Sequence, residues 1–330
     1  MADATAPVLA VEGLSVRFAG APTAVVDDIA FSVGRGRTLA IVGESGCGKS
    51  VTSLALMGLL PLAARVSGRA MFGDVDLLAM PARARADLRG NRVAMIFQEP
   101  MTSLNPAFTI GDQIGEAVVR HRGATATAAR ARALAMLDLV RIPAAAERLR
   151  AYPHELSGGM RQRAMIAMAL ANDPELLIAD EPTTALDVTI QAQILSLIAG
   201  LQRDTGTAMI LITHDLGVVA EVADDVAVMY AGRAVETGPV EDLFDDPQHP
   251  YTVGLMGSMP ALGRRTGRLA TIRGSVPLPA DMPPGCRFAT RCPFADARCS
   301  AERPPQRRFG DRHAAACWYA PLELTLGAAA

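Results

Sequence analysis

The amino-acid sequence predicts an α/β fold organised around a buried parallel sheet. Short apolar runs rich in branched residues, bounded by glycine or proline, occur between segments with helical periodicity. Of the 330 residues 50% are hydrophobic but only 4% are aromatic, which is typical of small aliphatic side chains covering both faces of a parallel sheet. A chain of this length accommodates one large domain and an appendage.

The predicted elements follow one another from the amino end. The predicted strands are short, rich in branched residues and flanked by turn residues: 8–18, 25–33, 37–42, 93–97, 176–179, 208–212 and 226–230. Helical spacing covers 50–60, where Pro61 ends the pattern, and 111–150, which is rich in alanine and arginine. The charged, proline-containing stretch 246–250 predicts a domain edge, and the cysteine-rich tail after it has weak periodicity.

Charge and hydropathy exclude several classes of protein. The formal net charge of −2 provides no strong field for attraction to nucleic acid or anionic lipid. The longest apolar candidate, 54–64, is too short to span a bilayer and contains Pro61. Residues 1–10 lack the basic and apolar segments of a secretory signal. We therefore expect a cytosolic chain that reaches a membrane only through a partner.

The basic residues are divided unevenly between two types. Of the 32 lysine and arginine residues, Lys49 is the only lysine. An ammonium is a compact point charge whereas a guanidinium is a planar fork, so the two are not interchangeable. The sequence therefore singles out position 49 for a task that needs an ammonium.

A glycine-rich motif surrounds this lysine. Residues 43–50 fit the pattern Gly-x4-Gly-Lys-Ser, follow a predicted strand and open a predicted helix, which is the context of a phosphate-binding loop. Glycines let successive amides turn inward, and the helix amino end adds its dipole. We expect Lys49 to reach the β- and γ-phosphates of a nucleotide and Ser50 to bind Mg²⁺, with Cys47 a small spacer. The predicted nucleotide contacts are Gly43, Glu44, Ser45, Gly46, Cys47, Gly48, Lys49, Ser50 and Val51.

Polar side chains stand at the ends of three other predicted strands. Asp180 and Glu181 follow the run 176–179, and strand alternation predicts that they point different ways. We therefore expect Asp180 to hold Mg²⁺ and Glu181 to act as general base on a water. Gln98 and His214 end strands in the same way, at the edge where α/β sheets bind ligands. Gln98 is expected to touch both Mg²⁺ and the attacking water.

A second anion-binding feature lies in the middle of the chain. Residues 156–163 read Leu-Ser-Gly-Gly-Met-Arg-Gln-Arg, in which Ser157 caps a predicted helix and Gly158 and Gly159 expose its amides. This octapeptide resembles the signature of the ABC ATPases. Because the chain already has a phosphate loop, a second anion cradle indicates that one of them serves a neighbouring subunit's nucleotide. The resemblance implies this arrangement, in which two subunits sandwich two ATP molecules.

The resemblance implies a fold and two domains. The fold is a P-loop NTPase cassette, with a RecA-like core, an antiparallel β subdomain and an inserted helical subdomain, followed here by a cysteine-rich C-terminal extension. The implied nucleotide-binding domain spans 1–245, with its helical subdomain at about 100–170, and the extension spans 246–330.

Further positions resemble those of the family. Four side chains singled out above match family roles, namely Gln98 (glutamine loop), Asp180 (magnesium aspartate), Glu181 (catalytic glutamate) and His214 (γ-phosphate switch). The stretch 185–187, which ends in Asp187, resembles the loop that crosses the dimer interface. Phe18 lies where the family places an aromatic ring under adenine, although tyrosine is commoner there and a phenylalanine in a strand is also an ordinary core residue.

Other segments resemble the dipeptide and oligopeptide importer branch of that family: 98–106, 153–155, 183–188 and 249–252. The branch implies a second, different ATPase chain, two transmembrane permease subunits, an extracytoplasmic substrate-binding protein and no nucleic acid. It implies a peripheral protein on the cytoplasmic face of the inner membrane. Nickel chelates and glutathione are alternative cargoes within the same family, and a soluble ABC ATPase outside transport is the alternative function.

The tail contains a cysteine cluster. Besides Cys47 in the loop, the chain has Cys286, Cys292, Cys299 and Cys317, separated by five, six and seventeen residues. Disulfides are disfavoured in the cytosol, so the cluster predicts a metal site, and four thiolates suit either zinc or iron–sulfur. The importer branch has a similar tail associated with a 4Fe-4S cluster, so the resemblance implies that group, with Zn²⁺ as the alternative and no metal as a third reading. The neighbouring cations are expected to offset thiolate charge: Arg287, Arg291 and Arg298.

Overall fold

The computed structural model describes residues 6–99, 103–183, 188–258 and 272–322, which fold as two compact units. The first, called here the helical unit, is made of Met1–Leu9, Val33–Arg37 and Ala79–Ile212. The second, called the phosphate-loop unit, is made of Ala10–Ser32, Thr38–Leu78 and Thr213–Ala330.

Strands and helices alternate along the chain. Within the described ranges the strands are β1 (Leu9–Phe18), β2 (Val26–Val33), β3 (Thr38–Val42), β4 (Ala64–Phe72), β5 (Val75–Asp76), β6 (Val93–Ile96), β7 (Leu176–Asp180), β8 (Ala208–Ile212), β9 (Asp225–Tyr230), β10 (Arg233–Pro239), β11 (Arg307–Phe309) and β12 (His313–Ala315). The α-helices there are α1 (Lys49–Met57), α2 (Ala82–Leu88), α3 (Ile110–Arg122), α4 (Ala126–Leu139), α5 (Ala145–Arg148), α6 (Gly158–Leu170), α7 (Val188–Thr205), α8 (Leu216–Val222), α9 (Val240–Asp245), α10 (Pro250–Gly257) and α11 (Ala297–Ala301). Short 3-10 helices lie at Pro153–Glu155 and Pro279–Asp281.

The helical unit contains a parallel arrangement of β6, β7 and β8. Every residue of these strands is buried, because apolar side chains cover both faces. The register pairs Ala179 with Ile96 and Leu211, so the carboxyl ends of the strands lie at one edge. Helices α3, α4 and α6 pack against one another. The predicted helical stretch 111–150 is divided because Gly123 ends α3 in a left-handed conformation.

The phosphate-loop unit contains two strand arrangements. One is a sheet in the order β2-β1-β4-β5, in which β4 and β5 are antiparallel. In the other, β3 runs parallel to β9, and β9, β10, β12 and β11 follow as antiparallel neighbours. The cysteine-rich tail, for which the sequence predicts only weak periodicity, thus supplies two strands that extend from β10. Helix α1 ends at Gly58 in a left-handed conformation, before the predicted stop at Pro61.

A cluster of aromatic rings joins the tail to the strands of this unit. The rings of Tyr230 and Tyr251 lie 4.7 Å apart, and those of Tyr230 and Phe288 lie 5.1 Å apart, both edge to face. All three side chains are at most 2% exposed. Such pairs stabilise beyond the area that they bury, so the tail is part of the core of this unit.

None of the helices in the described ranges combines the length and the apolar character that a bilayer crossing needs.

The buried carboxylate of Glu236 links three segments. It accepts hydrogen bonds from the backbone N–H groups of Gln248 and His249 at 2.6 and 3.0 Å. It also accepts one from Nε2 of His313 at 2.8 Å. Gly238 lies beside the same histidine, whose Cβ would be only 3.3 Å from an added methyl group, so the absence of a side chain there lets the imidazole approach.

Replacing His313 by glutamine should destabilise the protein more at about pH 6 than at about pH 8.5. The hydrogen bond to Glu236 raises the pKa of His313 above its ordinary value near 6.5. The stabilisation is therefore complete below the unfolded-state pKa and is lost as pH rises through the higher folded-state pKa. Denaturant unfolding at both pH values measures the difference, with the exposed His154→Gln as control. An equal loss of unfolding free energy at the two pH values would mean that His313 and Glu236 do not form a charged pair.

Candidate functional site

The predicted phosphate loop connects β3 to α1, and two of its glycines are required by close backbone approaches. Gly43 has φ 150°, and a Cβ there would lie 2.1 Å from the carbonyl oxygen of Met229. Gly48 has φ 101°, and its Cβ would lie 2.9 Å from the carbonyl oxygen of Val25. Side chains are excluded at both positions, so the backbone curls tightly before the helix begins at Lys49.

Lys49 is 6% exposed and lies across the loop. Its Nζ donates to the carbonyl oxygens of Gly43 at 2.7 Å and Glu44 at 3.1 Å. These contacts hold the ammonium over the residues that form the loop, while Ser45 and Gly46 at the tip are exposed. Ser50 and Val51 begin α1 and are half-buried.

Cys47 is fully buried beneath the loop, with its Sγ 2.9 Å from the position of a Cβ on Gly43. Burial raises the pKa of this thiol, and the nearby ammonium of Lys49 only partly offsets the effect. At neutral pH the group is a packed thiol rather than a nucleophile.

The helical unit brings Gln98 and Glu181 together after the ends of β6 and β7. Nε2 of Gln98 donates to Oε2 of Glu181 at 3.3 Å. Asp180, the last residue of β7, is 3% exposed, whereas Glu181 is half-buried. Their different surroundings do not come from strand alternation alone, because Glu181 has left the strand with φ 47°. A left-handed glutamate is a strained conformation of the kind found at functional sites. Its N–H donates to the Ile212 carbonyl at 2.9 Å.

The segment that resembles the ABC signature is the start of α6. Ser157 caps the helix by accepting the N–H of Met160 at 3.3 Å. Within the described part of the chain, a Cβ on Gly158 would meet no atom within 4 Å, and one on Gly159 would meet only Ile190 at 3.9 Å. Internal packing therefore does not require either glycine.

Gln162 is a residue of this site that the sequence did not single out. It is 1% exposed, and its Nε2 donates to the carbonyl of Pro182, the residue after Glu181. The signature helix and the carboxylate segment are thus joined within one unit. The position of Gln162 inside the signature is the only sequence signal for this contact.

His214 lies in the phosphate-loop unit, one residue after Thr213, whose N–H donates to the Ile41 carbonyl of β3. The imidazole is exposed and lines a cleft of about 280 Å³ together with Gly43 and Glu44. Phe18, in the same unit, is half-buried as the last residue of β1. Asp187 lies outside the described residues.

Contacts from the tail to the phosphate loop were also not predicted. The guanidinium of Arg291 binds the carboxylate of Glu44 through two nitrogens, at 2.5 and 3.0 Å. The N–H of Glu44 donates to Oη of Tyr251 at 2.8 Å. Glu44 is more than 200 positions from both Arg291 and Tyr251 in the sequence, and no local sequence pattern predicts such contacts.

The four tail cysteines line one small enclosed cavity with Phe288, Trp318 and other residues. All four are free thiols. Burial raises the pKa of each, to about 12 for Cys292 and about 11 for Cys317. In the described ranges, however, no three His, Cys, Asp or Glu side chains converge as ligands of a single metal ion.

The three arginines expected to offset thiolate charge have other partners. Arg287 donates to the Ala231 carbonyl and binds Asp27 at 2.7 Å, and Arg291 binds Glu44. Arg298 stacks on the Trp318 ring at 3.5 Å. Arg287 and Arg291 are thus paired with carboxylates that do not line the cavity, whereas Arg298 lies on a ring that does.

Comparison with known proteins places this geometry in a family. Residues 26–184 match the ABC transporter family, and residues 235–299 match the C-terminal region of oligopeptide/dipeptide transporters. The chain is 53% identical over 315 residues to the dipeptide transport ATP-binding protein DppD of Bacillus subtilis, covering 94% of both chains. It is 52% identical over 326 residues to a putative peptide import ATP-binding protein of Brucella abortus, covering 94% of this chain and 96% of the relative.

Solved structures share the fold. A dimeric bacterial ABC transporter cassette matches with a TM-score of 0.63 at 24% identity, covering 70% of this chain and 98% of that one. A Clostridium perfringens protein that is part of an ABC transporter complex matches with a TM-score of 0.62 at 26% identity, covering 73% and 91%. With the two family matches and full-length relatives above 50% identity, the chain belongs to the ATP-binding proteins of the ABC transporter family.

Proposed function

We propose that this protein binds and hydrolyses ATP as one subunit of a membrane importer of dipeptides or oligopeptides. The observation that carries the proposal is that one chain presents two glycine-bearing helix starts, at Lys49 and at Ser157, and internal packing does not require the glycines of the second. The names of the relatives, which are dipeptide and peptide import ATP-binding proteins, support peptides as cargo.

ATP is the substrate of the proposed site. The loop 43–50 and Val51 bind its phosphates, Lys49 contacts the β- and γ-phosphates, Phe18 stacks under adenine, and His214 contacts the γ-phosphate. Ser50, Asp180 and Gln98 would offer the oxygen ligands that Mg²⁺ prefers, and the ion would supply neutralisation of phosphate charge. Glu181 accepts a proton from the attacking water. Nε2 of Gln98, 3.3 Å from Oε2 of Glu181, places the Gln98 amide where it helps to orient the same water.

The second tip serves the nucleotide of a partner subunit. Gly158 and Gly159, next to the capping Ser157, have no packing role that demands glycine. Asp187 is assigned to the same interface because the stretch 185–187 resembles the loop that crosses it in the family. The complete assembly is a dimer of ATPase chains, the partner being a different chain, under two transmembrane permease subunits fed by an extracytoplasmic binding protein. The protein is then peripheral, on the cytoplasmic face of the inner membrane.

The chain is divided functionally at residue 245. Residues 1–245 form the nucleotide-binding domain, with a helical subdomain at about 100–170, and 246–330 form the cysteine-bearing extension. For the four thiols we propose a 4Fe-4S cluster, with zinc as the alternative. Four thiolates suit either group. The four cysteines line one cavity, which supports a shared metal group, and the resemblance to the importer branch favours iron–sulfur over zinc.

Replacing Glu181 by glutamine should lower peptide-stimulated ATP turnover of the assembled transporter by about 10² or more, since general base catalysis contributes about this factor. MgATP binding should persist. Phosphate release and nucleotide binding are measured on the complex purified with its permease chains, with the exposed Glu241→Gln as control. Turnover unaffected by Glu181→Gln would remove this residue as the base, and absence of stimulation by any peptide would remove the proposed cargo.

Replacing Gly158 by alanine should lower ATP turnover of the dimer without lowering the stability of the chain, because the proposed role of Gly158 is to contact the nucleotide of the partner subunit. The chain leaves room for the methyl group and alanine favours helix, so the melting temperature should stay the same or rise. ATP turnover of the dimer should fall about tenfold or more, because the amides at this tip lose close access to the partner's nucleotide. Gly200→Ala, the same change inside α7, is the matched control. Normal turnover in the Gly158 variant contradicts the partner role.

The extension should contain iron and sulfide when the protein is purified without oxygen. About four of each per chain are expected by chemical analysis, together with visible absorbance that disappears on chelation or oxidation. Cys292→Ser should lose the metal, whereas Cys47→Ser, outside the cavity, should retain it. Stoichiometric zinc, or no metal at all, would contradict the cluster.

A further inference from the structure

The phosphate loop carries a negative charge of its own. Glu44 is the second residue of the loop, and its carbonyl is one of the two that hold Lys49. In the proposed function this loop holds a polyanionic triphosphate. The Glu44 side chain is 30% exposed, and its carboxylate repels the ligand unless its charge is compensated, since like charges at close range repel.

Arg291 supplies that compensation with a buried, two-pronged contact. Its side chain is 4% exposed, and two of its nitrogens bind the two carboxylate oxygens of Glu44, at 2.5 and 3.0 Å. The guanidinium also lies against the Tyr230 ring, 5.7 Å from its centre. A bidentate pair of this kind fixes orientation as well as charge. Because Tyr251 accepts the N–H of the same glutamate, both the backbone and the side chain of Glu44 are held from the tail.

The turn that carries Arg291 is itself well defined. The N–H groups of Arg291 and Cys292 both donate to the Phe288 carbonyl, at 2.9 and 3.0 Å. At the start of the turn, Arg287 donates to the Ala231 carbonyl. Gly232, which follows Ala231 in the sequence, donates its N–H to the Cys47 carbonyl at 2.8 Å. One turn of the tail therefore contacts the phosphate loop directly through Arg291. It also contacts the loop indirectly, because Arg287 binds Ala231 and the adjacent Gly232 binds Cys47 of the loop.

We propose that Arg291 is a positioning residue for nucleotide binding: it neutralises Glu44 and fixes the phosphate loop, so that the C-terminal extension sets the affinity for MgATP. The inference rests on the proposed function of the loop and adds a residue from outside the nucleotide-binding domain to it. It also distinguishes two types of contact made by the extension. The Arg291–Glu44 pair acts on nucleotide affinity, whereas pairs such as Arg303–Asp28, which is exposed at 44% and 60%, do not.

The test measures MgATP affinity and steady-state kinetics of the full-length chain in its transporter complex. Arg291→Gln should raise the Kd and the KM for MgATP about tenfold while kcat changes less than about threefold, because the residue acts through the loop and not on the reacting atoms. The defect should shrink as ionic strength rises, since salt screens the uncompensated carboxylate. Arg291→Lys, which keeps a point charge but not the fork, should lie between wild type and the glutamine variant.

The double variant Glu44→Gln/Arg291→Gln isolates the charge. Removing both partners removes the repulsion but not the loss of the contact that fixes the loop, so its Kd should be at least about threefold lower than that of Arg291→Gln and higher than that of wild type. Arg303→Gln is the matched control for loss of an ion pair in the extension, and melting temperatures check that each variant is folded.

Two results would overturn the inference while leaving the proposed function intact. One is an Arg291→Gln chain that binds MgATP as Arg303→Gln does. The other is a double variant as weak as Arg291→Gln, which would assign the pair to packing alone. A wild-type complex that fails to bind MgATP would overturn the proposed function and this inference together. If Arg291→Gln does not fold, the lysine and double variants decide the same question.

Discussion

The close packing of backbone around the phosphate loop is the constraint on which the rest of this structure depends. At Gly43 the chain passes so near the Met229 carbonyl of β9 that a single methyl group is excluded. At Gly48 it meets the Val25 carbonyl just before β2 in the same way. The loop can therefore pack against β9 and the segment before β2 in this way only with glycine at both positions. The anion cradle is a product of sheet assembly rather than of local sequence alone.

The carboxyl-terminal tail also packs against the strands and the loop of this unit. Its β12 pairs with β10, its aromatic rings pack on Tyr230, and its arginines reach the loop region through Glu44 and Ala231. The buried carboxylate of Glu236 ties β10 to the segment that begins α10 and to His313 of the tail. Residues before and after position 245 therefore share one hydrophobic core in the phosphate-loop unit.

The parts of the fold that the sequence predicted share one physical property. Strands β3, β6, β7 and β8 are buried along their whole length, so their apolar runs are unbroken and easily recognised. Strand β4 was missed because most of its residues are exposed and it contains Gly68, and β10 because its polar residues face other segments. The phosphate loop and the signature were predicted because each is a local motif at a helix start.

Other features of the site could not be predicted, because they depend on contacts between distant segments or on backbone conformation. The Arg291–Glu44 pair spans 247 positions, and neither residue has a local pattern that marks it. The left-handed conformation of Glu181 is set by the turn that follows β7, whereas the alternation of a strand would continue past it. The partners of the tail arginines likewise follow from the fold, which pairs Arg287 with Asp27, Arg291 with Glu44 and Arg298 with the Trp318 ring.

The unusual distribution of amines makes Lys49 a natural reporter. Besides the amino terminus, this side chain is the only primary amine in the sequence. It is 6% exposed, and its Nζ donates to two carbonyl oxygens. An acylating reagent, or a protease that cleaves after lysine, therefore has one internal target, at the start of α1. Its rate of attack measures how often the loop opens, without any introduced label.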